Sequence, residues 1–110
     1  MSGKAGAGTP SYMAPELWQA QPFTSKVDVY AFGVVLNELM TRKAPFVSME
    51  PDRVSDLVLE GRRPEVASGV PASITDVIAS CWDADPARRP AFTDIQDALS
   101  SVLDGLGKGG

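Results

Sequence analysis

The longest apolar pattern in the chain runs from Ser25 to Met40. From Val27 onward, apolar residues fall on every side of a helix with 3.6 residues per turn, and such a helix is expected to be buried all round. Ser25 is a suitable N-cap, and Asp28 lies three residues later, where its carboxylate can reach back to the cap. The pattern therefore predicts a central buried helix over residues 25–40.

Other structures for this stretch fit less well. Its β-branched residues favour a strand, but a strand rarely runs so far and the start signal is that of a helix. A membrane span would need about 20 apolar residues. This stretch is too short for that role, and it carries Asp28, Asn37 and Glu38.

Apolar residues at helical spacing predict further helices over residues 48–59, 72–82 and 93–103. Gly61 is expected to end the first of them as a C-cap, and Thr93 and Gln96 are expected to form a capping box on the last. No sheet is expected. The fold class is therefore all-α, with helices arranged around the central buried helix.

The two ends of the chain are rich in glycine and small residues. Residues 1–8 are expected to be a flexible lead-in, and residues 105–110 a disordered tail. Residues 9–104 are then one folded unit. The loop that contains Arg62 and Arg63 is expected to be solvated, because charge pairs of this kind usually lie on the surface.

Composition narrows the possible functions of this chain of 110 residues. The net charge of -4 argues against a nucleic-acid partner, and no polybasic membrane signal is present. The chain has no histidine, which excludes Ser-His-Asp and Cys-His catalysis within it. A single cysteine, Cys81, is expected to be a core residue and suits a reducing compartment, so we expect a cytoplasmic protein without a membrane segment.

Three ordered motifs carry a family resemblance. Residues 8–16 read Gly-Thr-x-x-Tyr-Met-Ala-Pro-Glu, which resembles the end of the activation segment of eukaryotic protein kinases. Residues 28–36 read Asp-Val-Tyr-x-Phe-Gly-Val-x-Leu, similar to the kinase F helix, and residues 81–92 resemble the connection between helices H and I. The resemblance covers about residues 8–104 and implies the helical C-lobe of a kinase domain, from the substrate-positioning loop and Ala-Pro-Glu motif through helices F to I.

The spacing from Cys81 to Phe92 is typical of tyrosine and tyrosine-kinase-like kinases. Thr9 fits a serine/threonine kinase, so the resemblance implies the tyrosine-kinase-like group of serine/threonine kinases. The substrate-positioning loop that it implies consists of Gly8, Thr9, Pro10, Ser11 and Tyr12.

The resemblance also implies structural roles for several residues. Glu16 is expected to pair with Arg89 and clamp the activation segment to the helical lobe, since an arginine fork satisfies a carboxylate even when both are buried. Asp28 is expected to anchor the central helix, either locally through the helix dipole or by accepting hydrogen bonds from the backbone of a catalytic loop. Trp82 is expected to be structural.

The parts that perform phosphoryl transfer are absent from this sequence. It has no Gly-rich loop before a strand, no His-Arg-Asp and no Asp-Phe-Gly. We therefore expect no catalytic, cofactor-binding or metal-binding residue in this chain and no activity from it alone, whereas ATP and magnesium are implied for a full-length kinase.

Three interpretations remain. The first is a fragment of a serine/threonine kinase domain, whose partners are the missing N-terminal part of that domain and a protein substrate. The second is a stand-alone inactive module that binds or regulates another protein, and the third is an unrelated helical bundle. In the first case the central helix has apolar faces that missing segments would cover, so the isolated chain is expected to be marginally stable and to associate.

Overall fold

Helices form all the regular structure in the described part of the chain. A computed structural model of the protein describes residues 10–19, 21–46, 49–66 and 68–109. The α-helices are α1 (Pro15–Trp18), α2 (Lys26–Thr41), α3 (Pro51–Leu59), α4 (Ala72–Cys81) and α5 (Phe92–Gly109), and short 3₁₀ helices span Pro10–Tyr12 and Pro86–Arg88. Because no strand occurs within those ranges, the all-α prediction is confirmed. Residues 1–9, which include Gly8 and Thr9, lie outside the described residues.

Helix α2 is the centre of the fold, as the sequence predicted, and α4 packs along it. Tyr30 and Val34 on α2 form a buried core with Ile78 on α4 and with Trp82. The two backbones approach closely at Gly33, where an added Cβ atom would lie 2.5 Å from the Cβ of Cys81. A residue without a side chain is therefore required for this helix pair to pack as it does.

One face of α2 is exposed, so the prediction that this helix is buried all round is wrong. Val35 is 41% exposed and Leu39 is 64% exposed, and Asp28 is exposed on the same side. Positions i, i+7 and i+11 lie along one stripe of a helix. In the described part of the chain, α4 covers the opposite side of α2 through Gly33 and Val34.

The N-terminus of α2 is capped differently from the prediction. Ser25 precedes the helix but has helical backbone angles, and its side chain makes no capping hydrogen bond. An N-cap needs extended backbone to aim its oxygen at the helix amides. The Oγ1 of Thr24 accepts a hydrogen bond from the Lys26 amide instead (3.2 Å), while the Asp28 amide donates to the Ser25 carbonyl (2.9 Å).

Helix α3 begins at Pro51 rather than at the predicted Ser48. Glu50 is extended, with φ -69° and ψ 151°, as expected for a residue before proline. The helix ends at Leu59, and Gly61 terminates it as predicted, with a φ of 96° that favours glycine. The Gly61 amide donates to the Val58 carbonyl (3.0 Å) and the Arg62 amide to the Leu57 carbonyl (2.8 Å), which is a Schellman arrangement.

The last helix starts earlier and ends later than predicted. Because α5 begins at Phe92, Thr93 lies inside the first turn, and the predicted capping box of Thr93 with Gln96 is wrong. The helix continues to Gly109, where the sequence predicted a disordered tail from residue 105. Extending an existing helix adds a hydrogen bond without a new nucleation cost, and no proline interrupts this segment.

Among the described residues, no helix is long and apolar enough to span a bilayer.

Candidate functional site

A buried ion pair joins α1 to the loop between α4 and α5. Arg89 Nη1 donates to Glu16 Oε2 (2.7 Å), and Arg89 Nη2 donates to Glu16 Oε1 (2.9 Å). Glu16 is 5% exposed and Arg89 is 1% exposed. Pro15 at the first position of α1 favours the helix that carries Glu16, and the 3₁₀ helix Pro86–Arg88 leads directly into Arg89. The structure thus brings together the two residues that the sequence placed in a clamp.

Arg89 contacts more than its carboxylate partner. Its Nε donates to the Asp83 carbonyl (2.9 Å), and its Nη1 also donates to the Lys26 carbonyl (3.0 Å). The Lys26 ammonium donates in return to the Arg89 carbonyl. Each guanidinium nitrogen is therefore hydrogen-bonded. We call Glu16, Arg89 and these backbone contacts the clamp, because together they hold α1, the start of α2 and the loop after α4.

The clamp keeps the Glu16 carboxylate ionised. Burial by itself raises the pKa of this carboxyl group, but hydrogen bonds from Arg89 and from its own backbone amide, together with the Arg89 charge, lower the pKa below its ordinary value. A bidentate arginine is well suited to this balance because it satisfies both carboxylate oxygens at once. The pair is therefore charged at neutral pH despite its burial.

The described part of the predicted substrate-positioning loop directly precedes α1, the helix that carries Glu16 of the clamp, and packs against α2 and α3. Pro10, Ser11 and Tyr12 form a 3₁₀ helix, which is closed by a hydrogen bond from the Met13 amide to the Pro10 carbonyl (3.2 Å). The Tyr12 hydroxyl donates to Glu38 on α2. Burial, followed by the hydrogen bond and charge of Glu38, raises the pKa of Tyr12 to about 12. The loop is thus fixed to α2 by a phenol that stays protonated at neutral pH.

Of the two other predicted structural residues, Trp82 is part of the core and Asp28 is not. Trp82 caps the C-terminus of α4, and its amide donates to the Ile78 carbonyl (3.2 Å). Asp28 lies on the exposed stripe of α2 with Val35 and Leu39. Its side chain therefore points to a surface on which further protein could lie.

Arg63 was misjudged from the sequence, which placed it with Arg62 in a solvated loop. Arg62 is exposed, but Arg63 is half-buried. Its Nε donates to the Trp82 carbonyl (2.8 Å), its Nη1 donates to the Val58 carbonyl (3.2 Å), and its Cζ lies 5.2 Å from the Tyr30 ring centroid. Gly61, with its positive φ, terminates α3 two residues before Arg63. The loop that follows brings the Arg63 side chain to these partners. No periodic signal distinguishes the two arginines.

The described residues offer little for direct chemistry. They contain no cluster of three or more histidine, cysteine, aspartate or glutamate side chains that could hold a metal ion. Cys81 is fully buried, and burial raises the pKa of its thiol to about 11. A thiol of this kind is inert as a nucleophile at neutral pH. The arrangement can position backbone and side chains.

Comparison with known proteins agrees with this arrangement. A family model described as protein tyrosine and serine/threonine kinase matches residues 2–99. The dual specificity protein kinase shkB of Dictyostelium discoideum is 42% identical over an alignment of 106 residues, which covers 91% of this chain and 16% of that protein. The serine/threonine-protein kinase CTR1 of Arabidopsis thaliana is 36% identical over 104 residues, which are 94% of this chain and 13% of that protein.

These relatives are much longer than the chain. The RGS domain-containing serine/threonine-protein kinase A of Dictyostelium discoideum is 35% identical over 96 residues, which are 87% of this chain but 8% of that protein. The match therefore lies in one part of each relative. With the family model matching most of its length, the chain belongs to the protein tyrosine and serine/threonine kinase family and corresponds to a fragment of the kinase domain.

Proposed function

We propose that this chain is the substrate-positioning and helical part of a serine/threonine kinase of the tyrosine-kinase-like group, which phosphorylates proteins when the domain is complete. The observation that carries the proposal is the buried pair of Glu16 and Arg89 beside the loop Pro10–Tyr12. Positioning a substrate segment near its reaction partner supplies a large part of catalysis by itself. The clamp suits that task because it fixes the backbone next to the loop.

The proposed first partner is the remainder of a kinase domain, lying on the exposed stripe of α2. Val35 and Leu39 are exposed there, and an open depression is lined by these two residues with Glu38 and Arg42. Apolar side chains along one helix face are normally covered by protein. Asp28, on the same stripe, would accept backbone hydrogen bonds from the covering segment.

ATP and magnesium belong, in this proposal, to the remainder of the domain. Phosphoryl transfer needs carboxylates for the metal and a phosphate cradle. The described residues do not fit such a group, since they contain no acidic cluster that could bind a metal ion. We therefore assign no catalytic or cofactor-binding step to residues of this chain. The proposed location is the cytoplasm, supported by a single, buried cysteine in a charged, histidine-free chain.

A chimera tests the proposal. Residues 10–104 would replace the matching segment of the Dictyostelium kinase shkB, and ATP-dependent phosphorylation of a generic protein substrate would be measured. We expect activity within about tenfold of the parent kinase, which corresponds to a change of no more than about 1.4 kcal/mol in the activation free energy. A chimera that folds, binds ATP and yet transfers no phosphate would refute the proposal.

The control variants separate positioning from general damage. In the chimera, Glu16→Ala is expected to abolish most of the activity, since it strands the buried Arg89 charge. Arg88→Ala is the matched control, because Arg88 is an exposed neighbour whose ion pair with Asp85 is long at 4.0 Å. Its activity is expected to equal that of the unmodified chimera.

A further inference from the structure

Arg63 joins the C-terminal ends of two helices. Its guanidinium donates to Val58 in the last turn of α3 and to Trp82, the residue that caps α4. The Val58 carbonyl already accepts from the Gly61 amide that closes α3 (3.0 Å), so Arg63 is a second donor to it. One side chain therefore fixes the end of α3 relative to the end of α4.

The same guanidinium also contacts the ring of Tyr30. The Cζ atoms of Arg63 and Arg89 each lie 5.2 Å from the centroid of this ring, within the usual range of a cation–π contact. Tyr30 is fully buried, and its hydroxyl has no hydrogen-bond partner among the described residues. No hydrogen bond of its own therefore orients the ring, which depends on packing and on the two arginines.

We propose that Arg63 is a positioning residue of the clamp. It holds Tyr30 against Arg89, and Arg89 in turn holds Glu16 and the segment 10–19. Helix α3 also packs against α1 and against the 3₁₀ helix Pro10–Tyr12. The loop that carries Arg63 therefore follows a helix that contacts residues 10–19 directly. The relevance to substrate rests on the proposed function, whereas the positioning is a property of the fold.

A purely structural role predicts a different pattern. If Arg63 only closes the loop after α3 onto α4, its removal loosens residues 51–66 and the end of α4. If it acts through Tyr30 and Arg89, the loosening extends to residues 10–19. Hydrogen exchange of the full chain, followed by mass spectrometry, reports local opening in each of these segments. Because α3 also packs directly against α1, a Tyr30→Leu background is needed to show which route carries an effect on residues 10–19.

The experiment compares Arg63→Ala with Arg62→Ala, the exposed neighbouring arginine. Rates in residues 10–19 are divided by rates in the core of α2, so that a change in global stability cancels. We expect Arg63→Ala to speed relative exchange in residues 10–19 about fivefold, the factor that corresponds to one cation–π contact. Arg62→Ala should leave the ratio unchanged, and an unchanged ratio for Arg63→Ala overturns the proposal.

Two further variants keep the test decisive. Arg63→Lys keeps a cation but loses the planar fork, so a smaller increase in the same segment is expected, and this variant carries the test if Arg63→Ala does not fold. In a Tyr30→Leu background, Arg63→Ala should add no further effect on residues 10–19. A full effect without the ring would overturn the proposed route. An inactive chimera would refute the proposed function and leave these exchange results standing.

Discussion

Replacing Glu16 by Gln removes the negative charge of the clamp while keeping its size. The buried guanidinium of Arg89 then keeps its bonds to the Asp83 and Lys26 carbonyls but loses its counter-charge. Stranding one partner of a buried pair costs about 3–5 kcal/mol. A domain of this length has roughly 5–15 kcal/mol of stability in total. We therefore expect Glu16→Gln to remove about a fifth or more of it.

Replacing Arg89 by Met is expected to destabilise the chain further. It strands the Glu16 carboxylate and also leaves the Asp83 carbonyl without this donor, at about 1–3 kcal/mol for a buried unsatisfied group. Replacing both members of a buried ion pair by apolar residues often leaves stability unchanged when the two charges bond only to each other. Here the double variant Glu16→Leu, Arg89→Met should recover part of the loss but not all of it, because the Asp83 carbonyl stays without its donor.

Urea unfolding followed by circular dichroism measures these losses. The control is Arg88→Ala, whose exposed side chain should change stability by no more than about 0.5 kcal/mol. The comparison also requires equal m-values, since a changed slope would mean a changed unfolded or native state. A loss below about 1 kcal/mol for Glu16→Gln would refute the reasoning, because a pair this buried cannot be lost so cheaply.

The contribution of the pair must also depend on pH. The folded-state pKa of Glu16 lies below its ordinary value of 4.5, so the unfolded chain binds this proton more readily. The stabilisation is therefore fully present above the ordinary pKa and is lost as pH falls through the lower folded-state value. The difference in unfolding free energy between wild type and Glu16→Gln should shrink on acidification below pH 4.5. A difference that grows there would contradict the assignment.

Three further predictions concern packing, association and nucleotide. Gly33→Ala should cost about 1–3 kcal/mol in urea unfolding, since its Cβ meets the Cβ of Cys81 at 2.5 Å. Cys81→Ala should not relieve that clash because it keeps the same atom, and a neutral Gly33→Ala would show that α2 and α4 do not touch there. The double variant Val35→Gln, Leu39→Gln should reduce self-association in sedimentation velocity with little loss of stability, because both side chains are exposed. Unchanged association would show that the self-associating surface lies elsewhere. Mg-ATP at about 1 mM should leave the melting temperature unchanged. Binding with a micromolar Kd would instead add about 4 kcal/mol to the free energy of unfolding and raise the melting temperature.

The sequence was most informative where local rules decide the structure. Pro51 and Gly61 each impose a backbone conformation. The end of α3 was therefore predicted correctly, and its start was predicted three residues too early, at Ser48 instead of Pro51. The ends of α5 depend on weaker signals. Thr93 can cap a helix only if its own backbone is extended, and neighbouring structure decides that point rather than the threonine side chain.

Burial was harder to predict than helix position. The all-round apolar pattern of α2 implied burial of Val35 and Leu39, which are exposed in this chain. A pattern records which residues prefer to be covered, but it does not say whether the covering segment is present. The pattern and the exposure agree if α2 evolved to lie inside a larger domain, as the family membership indicates.

Charged residues show the same limit at the level of single side chains. Arg62 and Arg63 are adjacent and chemically identical, yet only Arg63 reaches Trp82 and Tyr30. Adjacent residues after a helix end point in different directions, so the buried one is selected by the path of the loop. Glu16 and Arg89 could be paired beforehand only because a family resemblance placed them together, since 73 residues separate them in the chain.

The bonding pattern of Arg89 suggests why a charged pair is used where an apolar contact could be more stable. Its donors reach a side chain of α1, a carbonyl of α2 and a carbonyl after α4, each in a fixed direction. Apolar packing at this point would tolerate small shifts of α1, whereas a planar fork with directional partners does not. Buried ionic groups are best supported as devices that fix register rather than as sources of stability. Under the proposed function, residues 10–12 present their backbone to a substrate, and such a loop gains more from register than from stability. The clamp is therefore expected to affect positioning of residues 10–19 even in variants that restore stability.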